Sequence, residues 1–226
     1  TDLFISEVTD SNAGSLTYIE IFNGTGTSKD LSNYKLRIFT NGNQTNPSCD
    51  MQLSGIIANN STNVIKVSSN ANQGGVIPNQ VFTTCGGINT NDNIKLTTAS
   101  DAIIDEWGRT DGVDFTPLNQ PGYVYRRHNN ATLPSTTWNP ADWDAIDPED
   151  YSNIGTFTPF TNDQYSYNVD GGTYQTNTTF GNLTPGSHTF TVMNVATGCI
   201  SSGTTITLNT PTPVSPVTGI SYTTPI

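Results

Sequence analysis

The sequence predicts an all-β protein made of a β-sandwich and a second, smaller β module. Apolar and β-branched residues recur in short runs, and about seven to nine of these runs lie in the first part of the chain. Turn-forming residues separate the runs at intervals of about ten residues, which is typical of a β-sandwich. No window longer than about eight residues shows the apolar period of a helix.

The composition restricts the class of protein. Only 12% of the 226 residues are charged, and Asn, Thr, Ser and Gly take their place, as is common in secreted β-proteins. The formal net charge of −11 argues against nucleic acid or an anionic membrane as a partner. No apolar run is long enough to span a bilayer, so we expect no membrane insertion. Because the chain begins at Thr1 rather than Met, we interpret it as a processed or fragmentary product.

Two β-rich segments near the start, Leu3–Val8 and Leu16–Phe22, are predicted to pair through a polar turn. Each carries one carboxylate among apolar neighbours, Glu7 and Glu20, which is unusual for a strand. Further strands of this half are predicted from apolar clusters at Tyr34–Ile38, Leu53–Ile57, Val64–Val67, Val81–Phe82, Ile94–Leu96, Ile103–Trp107 and Tyr123–Arg127.

The character of the chain changes after Arg127. Residues 129–155 are predicted to be a loop, and strands resume at Gln164–Val169, Thr173–Thr176, Ser187–Met193 and Thr204–Leu208. We therefore expect a sandwich over residues 1–155, a small module over 156–209, and a Pro-rich linker with a β-prone tail over 210–226.

Three cysteines are present, Cys49, Cys85 and Cys199. The secreted-type composition favours a disulfide between Cys49 and Cys85 over free thiols. No His flanks them at the spacing of a zinc site. Cys199 is then unpaired within the chain, either as a buried small hydrophobe or as a bonding partner for a neighbouring module.

Several pieces of the first 155 residues, in order, resemble the lamin-tail domain of secreted bacterial proteins. They are Ile5–Val8, Tyr18–Asn23, Asp30–Arg37, Asn91–Gly108, Arg126–Arg127 and Trp143. The resemblance implies an immunoglobulin-like β-sandwich. It also implies no enzymatic activity, because lamin-tail domains act as interaction or structural modules, often appended to other secreted domains.

Residues 157–209 resemble the short immunoglobulin-like repeats, of the SprB type, found in surface adhesins of gliding bacteria. The resemblance rests on residues 165–199, YSYNVDGGTYQTNTTFGNLTPGSHTFTVMNVATGC. It implies a second, smaller immunoglobulin-like module. It further implies an extracellular repeat protein exported by a dedicated outer-membrane route.

Paired carboxylates are the first candidate site. Glu7 and Glu20 could approach each other across paired strands, where they could bind Ca²⁺ or exchange protons. Further oxygen ligands would come from Asp10, Asn23 and Asp105.

A structural role for the two glutamates is the interpretation that we favour. Glu7 and Glu20 would accept backbone hydrogen bonds, or pair with Arg37 or Arg109, because an unpaired buried carboxylate is costly.

The acidic stretch Trp138–Asp150 is the second candidate. Its carboxylates, with no base among them, suit Ca²⁺, although the glycine of an EF-hand loop is missing and a solvated loop is the simpler interpretation. Trp138 and Trp143 could stack on sugar rings. More often such tryptophans plug the end of a sandwich or the joint between two domains, and we place the joint first. The carboxylates are Asp142, Asp144, Asp147, Glu149 and Asp150.

The expected function is a non-enzymatic, extracellular structural or adhesion protein of the bacterial cell surface. The tail Gly219–Ile226 could add a strand to the sheet edge of a neighbour and so build a fibre, or could simply lead to a further domain. The partners would be other copies, neighbouring surface-protein domains or polysaccharide. Alternatives are a Ca²⁺-dependent carbohydrate-binding module and an accessory part of a larger secreted enzyme. His128 and His188 lie in different modules, and no catalytic constellation can be argued around them.

Overall fold

The fold is described from a computed structural model over residues 2–12, 16–116, 121–160, 165–195, 197–211, 218–219 and 221. Within these ranges the regular elements are strands and short 3₁₀ turns, with no α-helix, so the all-β prediction is confirmed. The predicted tail lies outside the described residues except for Gly219 and Ser221. The chain forms two compact units, Thr1–Phe160 and Thr161–Ile226, and each is described by itself.

The first unit is an immunoglobulin-like β-sandwich of two main sheets. Its strands are β1 (Phe4–Asp10), β2 (Thr17–Asn23), β3 (Lys29–Asp30), β4 (Tyr34–Phe39), β5 (Cys49–Gln52), β6 (Ile56–Ile57), β7 (Ser61–Val67), β8 (Gln80–Phe82), β9 (Asn93–Thr98), β10 (Ile103–Trp107), β11 (Tyr123–Arg127) and β12 (Trp143–Ile146). The larger sheet has the order β12-β11-β1-β2-β7-β8, the second sheet the order β10-β9-β4-β5, and β3 pairs with β6. β7 and β8 run parallel, and the other neighbours run antiparallel.

Both faces of β1 and β2 are buried, which explains why these segments read as unusually apolar. Ile5 and Val8 both join the core between the sheets, because a register shift between Ile5 and Glu7 returns Val8 to the inner face. The outer face is covered by the chain around residues 151–157. There the ring of Phe157 lies 4.9 Å from that of Phe22.

A disulfide ties the second sheet to the loop after β8. Cys49 lies on β5 and bonds Cys85, with 5.6 Å between their Cα atoms, as predicted from the composition. The bond closes a loop of 36 residues, and such a closure restricts the unfolded chain. Cys199 is free and exposed, so its interpretation as a buried hydrophobe is wrong.

The smaller unit contains the strands β13 (Tyr165–Val169), β14 (Gly186–Asn194) and β15 (Thr204–Leu208). They form an antiparallel sheet in the order β13-β14-β15. Asp170, just after β13, accepts a hydrogen bond from His188 of β14 at 2.6 Å, and the other ring nitrogen of His188 lies 2.7 Å from a backbone carbonyl. Every residue of β15 is exposed to solvent.

Several predicted element bounds differ from the structure. β12 lies inside the stretch predicted to be a loop. The acidic residues of that stretch make it resemble a solvated loop, although it contains this short edge strand. Of the cluster predicted at Leu53–Ile57, only Ile56 and Ile57 form a strand, β6, because β5 ends at Gln52. Thr173–Thr176 forms only one isolated bridge, between Tyr167 and Gln175. The division of the chain follows Phe160 rather than residue 155, since Phe157 packs on the first unit.

Candidate functional site

Trp138 and Trp143 flank a 3₁₀ turn, Pro140–Asp142, beside the edge of the larger sheet. The side chain of Asn139 caps this turn by accepting an amide hydrogen bond at 3.2 Å. Trp143 then begins β12, where it lies opposite Arg127 of β11. The guanidinium carbon of Arg127 lies 5.6 Å from the centroid of the Trp143 ring. Both tryptophans also pack against the core of the sandwich.

Trp138 extends a cluster of aromatic rings that begins inside the core. Trp107 is fully buried on β10, and its ring lies 5.1 Å from that of Tyr125 and 5.4 Å from that of Phe115. The ring of Phe115 lies 4.5 Å from that of the half-buried Trp138. Separations of this size are typical of favourable aromatic pairs. The half-exposed indole of Trp138 is therefore fixed by the partly buried ring of Phe115, which itself packs on the buried rings of Trp107 and Tyr125.

Two adjoining cavities share Trp138 and Pro140 as a common wall, and together we call them the Trp138 groove. The larger cavity has a volume of about 420 Å³ and the smaller a volume of about 170 Å³. The larger is lined by Glu106, Gly108, Arg109, Thr110, Asp111, Thr137, Trp138 and Pro140. The smaller is lined by Phe115, Tyr125, Trp138, Pro140, Trp143 and Ala145.

The polar wall of the groove combines a buried carboxylate with an exposed ion pair. Glu106 is buried, and its Oε1 accepts a hydrogen bond from Asn93 at 2.8 Å. Burial raises the pKa of Glu106. Arg109 donates to both carboxylate oxygens of Asp111, and both side chains of this pair are about half exposed. The groove therefore presents flat apolar rings on one side and hydrogen-bonding groups on the other.

Glu7 and Glu20 lie opposite each other on β1 and β2, and each is 1% exposed. Glu20 accepts hydrogen bonds from the Ser6 hydroxyl at 2.6 Å and from the Gly155 amide at 2.5 Å. Burial raises the pKa of Glu20 to about 7. Both carboxylates therefore fasten the outer cover of the sheet.

The arginine partner expected for these glutamates was wrong. Arg126, the residue before the last of β11, donates to Glu7 at 3.3 Å. Burial nevertheless raises the pKa of Glu7, against the lowering effect of Arg126. Arg37 instead pairs with Asp50 and Asp101 of the second sheet, and Arg109 pairs with its near neighbour in sequence. Pairings between neighbouring strands of a sheet depend on strand order, which sequence distance does not reveal.

Asp105 does not join the glutamate pair, because Arg127 engages it within the sandwich. Arg127 donates to Asp105 at 2.9 Å, and their side chains are 4% and 1% exposed. The amides of Ile5 and Ser135 donate to the same carboxylate at 2.8 Å and 2.6 Å. Burial raises the pKa of Asp105 to about 6, while Arg127 opposes the rise. This ion pair joins β10, β1 and β11.

The expected acidic ligands are dispersed. Asp142 lies in the 3₁₀ turn, Asp144 lies 3.0 Å from a ring nitrogen of His128, and Asp147 contacts the hydroxyl of Tyr123. Among the described residues, no three His, Cys, Asp or Glu side chains form a group that could hold a metal ion. The calcium site therefore stays a prediction from the sequence.

The two further oxygen ligands proposed from the sequence, Asp10 and Asn23, also lie apart. Asn23 uses its amide to donate to three backbone carbonyls, those of Thr27, Ile57 and Ala58. Burial, with the negative charges of nearby carboxylates, raises the pKa of Asp10 to about 7.

Apart from the two tryptophans, the residues that line the groove were not predicted from the sequence to form a site. Phe115 and Tyr125 reach the site from different parts of the chain, and Glu106 reads as one more strand residue. Only the paired tryptophans gave a local signal.

Residues 1–111 match the family model of the Lamin Tail Domain. No curated protein and no solved structure matches the chain. The lamin-tail match spans β1 to β10, so β11 and β12, which complete the larger sheet, lie beyond it. Glu106, Arg109 and Asp111 fall inside the lamin-tail region, whereas both groove tryptophans fall outside it.

Proposed function

We propose that this protein is a structural and adhesion protein of the bacterial cell surface that assembles by strand addition. The lamin-tail match and the immunoglobulin-like sandwich indicate a non-enzymatic structural domain. Assembly, adhesion and the extracellular location are the further steps of the proposal. No helix among the described residues is long and apolar enough to cross a membrane.

The disulfide supports the extracellular part of the proposal. Disulfides form and persist in oxidising compartments and are rare where cellular thiols keep cysteine reduced. Cys49 and Cys85 bond within the first unit, where they join the second sheet to the loop after β8. A disulfide of this kind, with Cys49 buried and Cys85 partly buried, would be stable outside the cell.

The observation that carries the assembly proposal is the open edge of β15. Its outer edge has no partner strand within the described part of the smaller unit, and its side chains include the exposed Ile206 and Leu208. Natural edge strands are commonly protected by lysine, proline or a bulge. The sequence of β15, TTITL, contains neither lysine nor proline. It therefore offers unpaired backbone groups to a further strand.

The strand that fits this edge is the β-prone tail of a second copy. The sequence of the linker Thr210–Pro216, TPTPVSP, predicts an extended rather than a folded connection, which favours contact of the tail with another copy. Because tail and edge are different surfaces, each copy would accept one strand and donate another. Such a head-to-tail contact builds open filaments rather than closed dimers.

Light scattering over a range of protein concentrations tests the proposal. The full chain should form large, polydisperse species, whereas a chain ending at Thr210 should stay monomeric. The variant Leu208→Lys should also stay monomeric, because it places a charge on the edge opposite Gly186, where no side chain is displaced. Repeating the measurement with a chelator tests the expected calcium dependence.

The matched control is Ile77→Lys, which charges an equally apolar and 87% exposed residue of the first unit. It should assemble like the unmodified chain. A full chain that remains monomeric at every concentration, or assemblies that survive removal of the tail, would contradict the proposal.

A further inference from the structure

The Trp138 groove has the dimensions of a ligand site. Its larger cavity of about 420 Å³ falls within the range of roughly 300–1,000 Å³ that ligand clefts occupy, and the smaller cavity of about 170 Å³ adjoins it as an apolar annex. Ligand clefts combine apolar and aromatic walls with a few polar groups that fix orientation. The Trp138 groove has both.

The aromatic wall suits a flat ring with apolar C–H faces and hydroxyl groups around its rim. Trp138 stands between the two cavities, with its ring 4.5 Å from that of Phe115. Trp143 is supported from the protein side by the guanidinium of Arg127, at 5.6 Å. Because neighbouring groups already fix both indoles, a ligand would lose little free energy in ordering them. A hexose ring presents the required C–H faces.

The polar wall suits the hydroxyl groups of such a ring. Arg109 and Asp111 form an exposed planar pair beside Trp138, with guanidinium donors and carboxylate acceptors close together. Adjacent hydroxyls of a sugar can donate to one of these groups while accepting from the other. Glu106 lies deeper, with one oxygen held by Asn93. Thr137 adds a hydroxyl to the lining of the same cavity.

The charge of the groove lining and of the whole chain determines which polysaccharides can bind. Two carboxylates, Glu106 and Asp111, face one guanidinium, Arg109, so the lining carries a net negative charge. The whole chain has a formal net charge of −11. Uronic or sulfated polysaccharides would therefore be repelled both at the groove and at a distance.

We infer that the Trp138 groove binds hexose rings of a neutral polysaccharide, stacked on Trp138 and hydrogen-bonded to Arg109 and Asp111. The inference supplies a target for the adhesive role proposed above and rests on it for its biological setting. Binding itself would belong to a single copy of the chain and would not require assembly.

Tryptophan fluorescence and calorimetric titration of the full chain with neutral oligosaccharides test the inference. The probes are gluco-, manno- and galacto-hexaoses, with oligogalacturonate as the acidic comparison. At least one neutral probe should bind and shift the emission, and oligogalacturonate should bind more weakly. Trp138→Ala should weaken binding roughly tenfold or more, the loss expected for a removed aromatic contact.

Arg109→Ala is a second groove variant, which keeps the inference testable if Trp138→Ala does not fold. Arg109 is exposed, so its loss removes only groove contacts. It should weaken binding several-fold while leaving the thermal unfolding curve unchanged. The matched control is Lys35→Ala, which breaks an exposed ion pair with Asp101 away from the groove and should bind like the unmodified chain. Absence of binding to every neutral probe, tighter binding of oligogalacturonate, or full affinity in both groove variants would overturn the inference.

The same titration separates this inference from the assembly proposal. Monomeric Leu208→Lys should bind the neutral probe with unchanged affinity. If it does, glycan binding holds whether or not the chain assembles. If the chain assembles but binds no neutral probe, assembly stands and the groove inference fails.

Discussion

Glu7 and Glu20 face each other across β1 and β2 with both carboxylates removed from solvent. They hold the outer cover of the sheet, because Glu20 accepts from the Gly155 amide at 2.5 Å and Glu7 accepts from Asn153 at 3.2 Å. Burial raises the pKa of both groups. The first unit therefore contains a charged pair that folding makes easier to protonate.

The first prediction concerns pH. The pKa of Glu20 rises from 4.5 in the unfolded chain to about 7 in the fold, so between these values the folded state binds more protons. Stability is therefore greatest below the lower value and decreases as pH rises through about 7. Glu20 alone accounts for a fall on the order of 3 kcal/mol. Urea unfolding of the first unit, measured from about pH 5 to about pH 8, should show this fall.

Glu20→Gln should reduce that pH dependence, since the amide does not titrate, while Asp10 and Asp105, whose pKa values burial also raises, keep the remainder. Asp50→Asn, which removes a solvent-exposed carboxylate of β5, should keep the original dependence. Stability that stays constant or increases over the same pH range would show that Glu20 is not the titrating group.

The second prediction concerns the ion pair of Asp105 and Arg127. Asp105→Asn leaves a buried guanidinium without its counter-charge, which destabilises a protein by roughly 3–5 kcal/mol. The free energy of unfolding can be followed by tryptophan fluorescence, since Trp107 is buried on the same strand as Asp105. Asp101→Asn is the matched control, because its pairs with Lys35 and Arg37 lie at the surface. It should change the free energy by about 1 kcal/mol or less, and equal effects of the two variants would contradict the expected role of burial.

The central strands could be predicted from the sequence, and the physical reason is local. β1 and β2 carry dense β-branched and apolar residues because both of their faces are covered. The disulfide could also be predicted, because only two of the three cysteines fall in the same half of the chain. Neither inference requires knowledge of strand order.

The partners of the charged groups could not be predicted in this way. Arg126 meets Glu7 because β11 lies next to β1, although 119 positions separate the two residues. β12 was not predicted, because an exposed edge strand needs few apolar residues. Asp144 also makes it hard to recognise a strand pattern of alternating apolar and polar residues in this segment. The groove combines residues of β10, β11 and β12 with loop residues, so only the fold brings Glu106 and Trp138 together.

The third prediction concerns the disulfide. Replacing Cys49 and Cys85 together by serine should lower the free energy of unfolding by about 4 kcal/mol, the loop-closure value for a separation of 36 residues. Cys199→Ser should have no measurable effect, because that thiol is free and exposed. Thermal unfolding with and without reductant provides the measurement. An unmodified chain that unfolds at the same temperature in both conditions would exclude a stabilising bond.

The last prediction concerns the smaller unit. His188 lies 2.7 Å from the carbonyl of Thr184 through Nε2 and 2.6 Å from the carboxylate of Asp170 through Nδ1. Both neighbours accept hydrogen bonds, so the arrangement is satisfied only when both ring nitrogens are protonated. The Thr184 carbonyl, and then Asp170, raise the pKa of His188 above its ordinary value of 6.5.

The sign of the resulting pH effect follows from that arrangement. The stabilisation is fully present below 6.5, the unfolded value, and is lost as pH rises through the higher folded value. Proton NMR titration of the imidazole in the full chain should therefore give a midpoint above 6.5. Asp170→Asn should lower the midpoint, because the amide keeps a hydrogen-bonding oxygen but removes the negative charge. A His188 midpoint at or below the ordinary value would mean that the ring binds as a neutral tautomer, and the link between β13 and β14 would then be independent of pH.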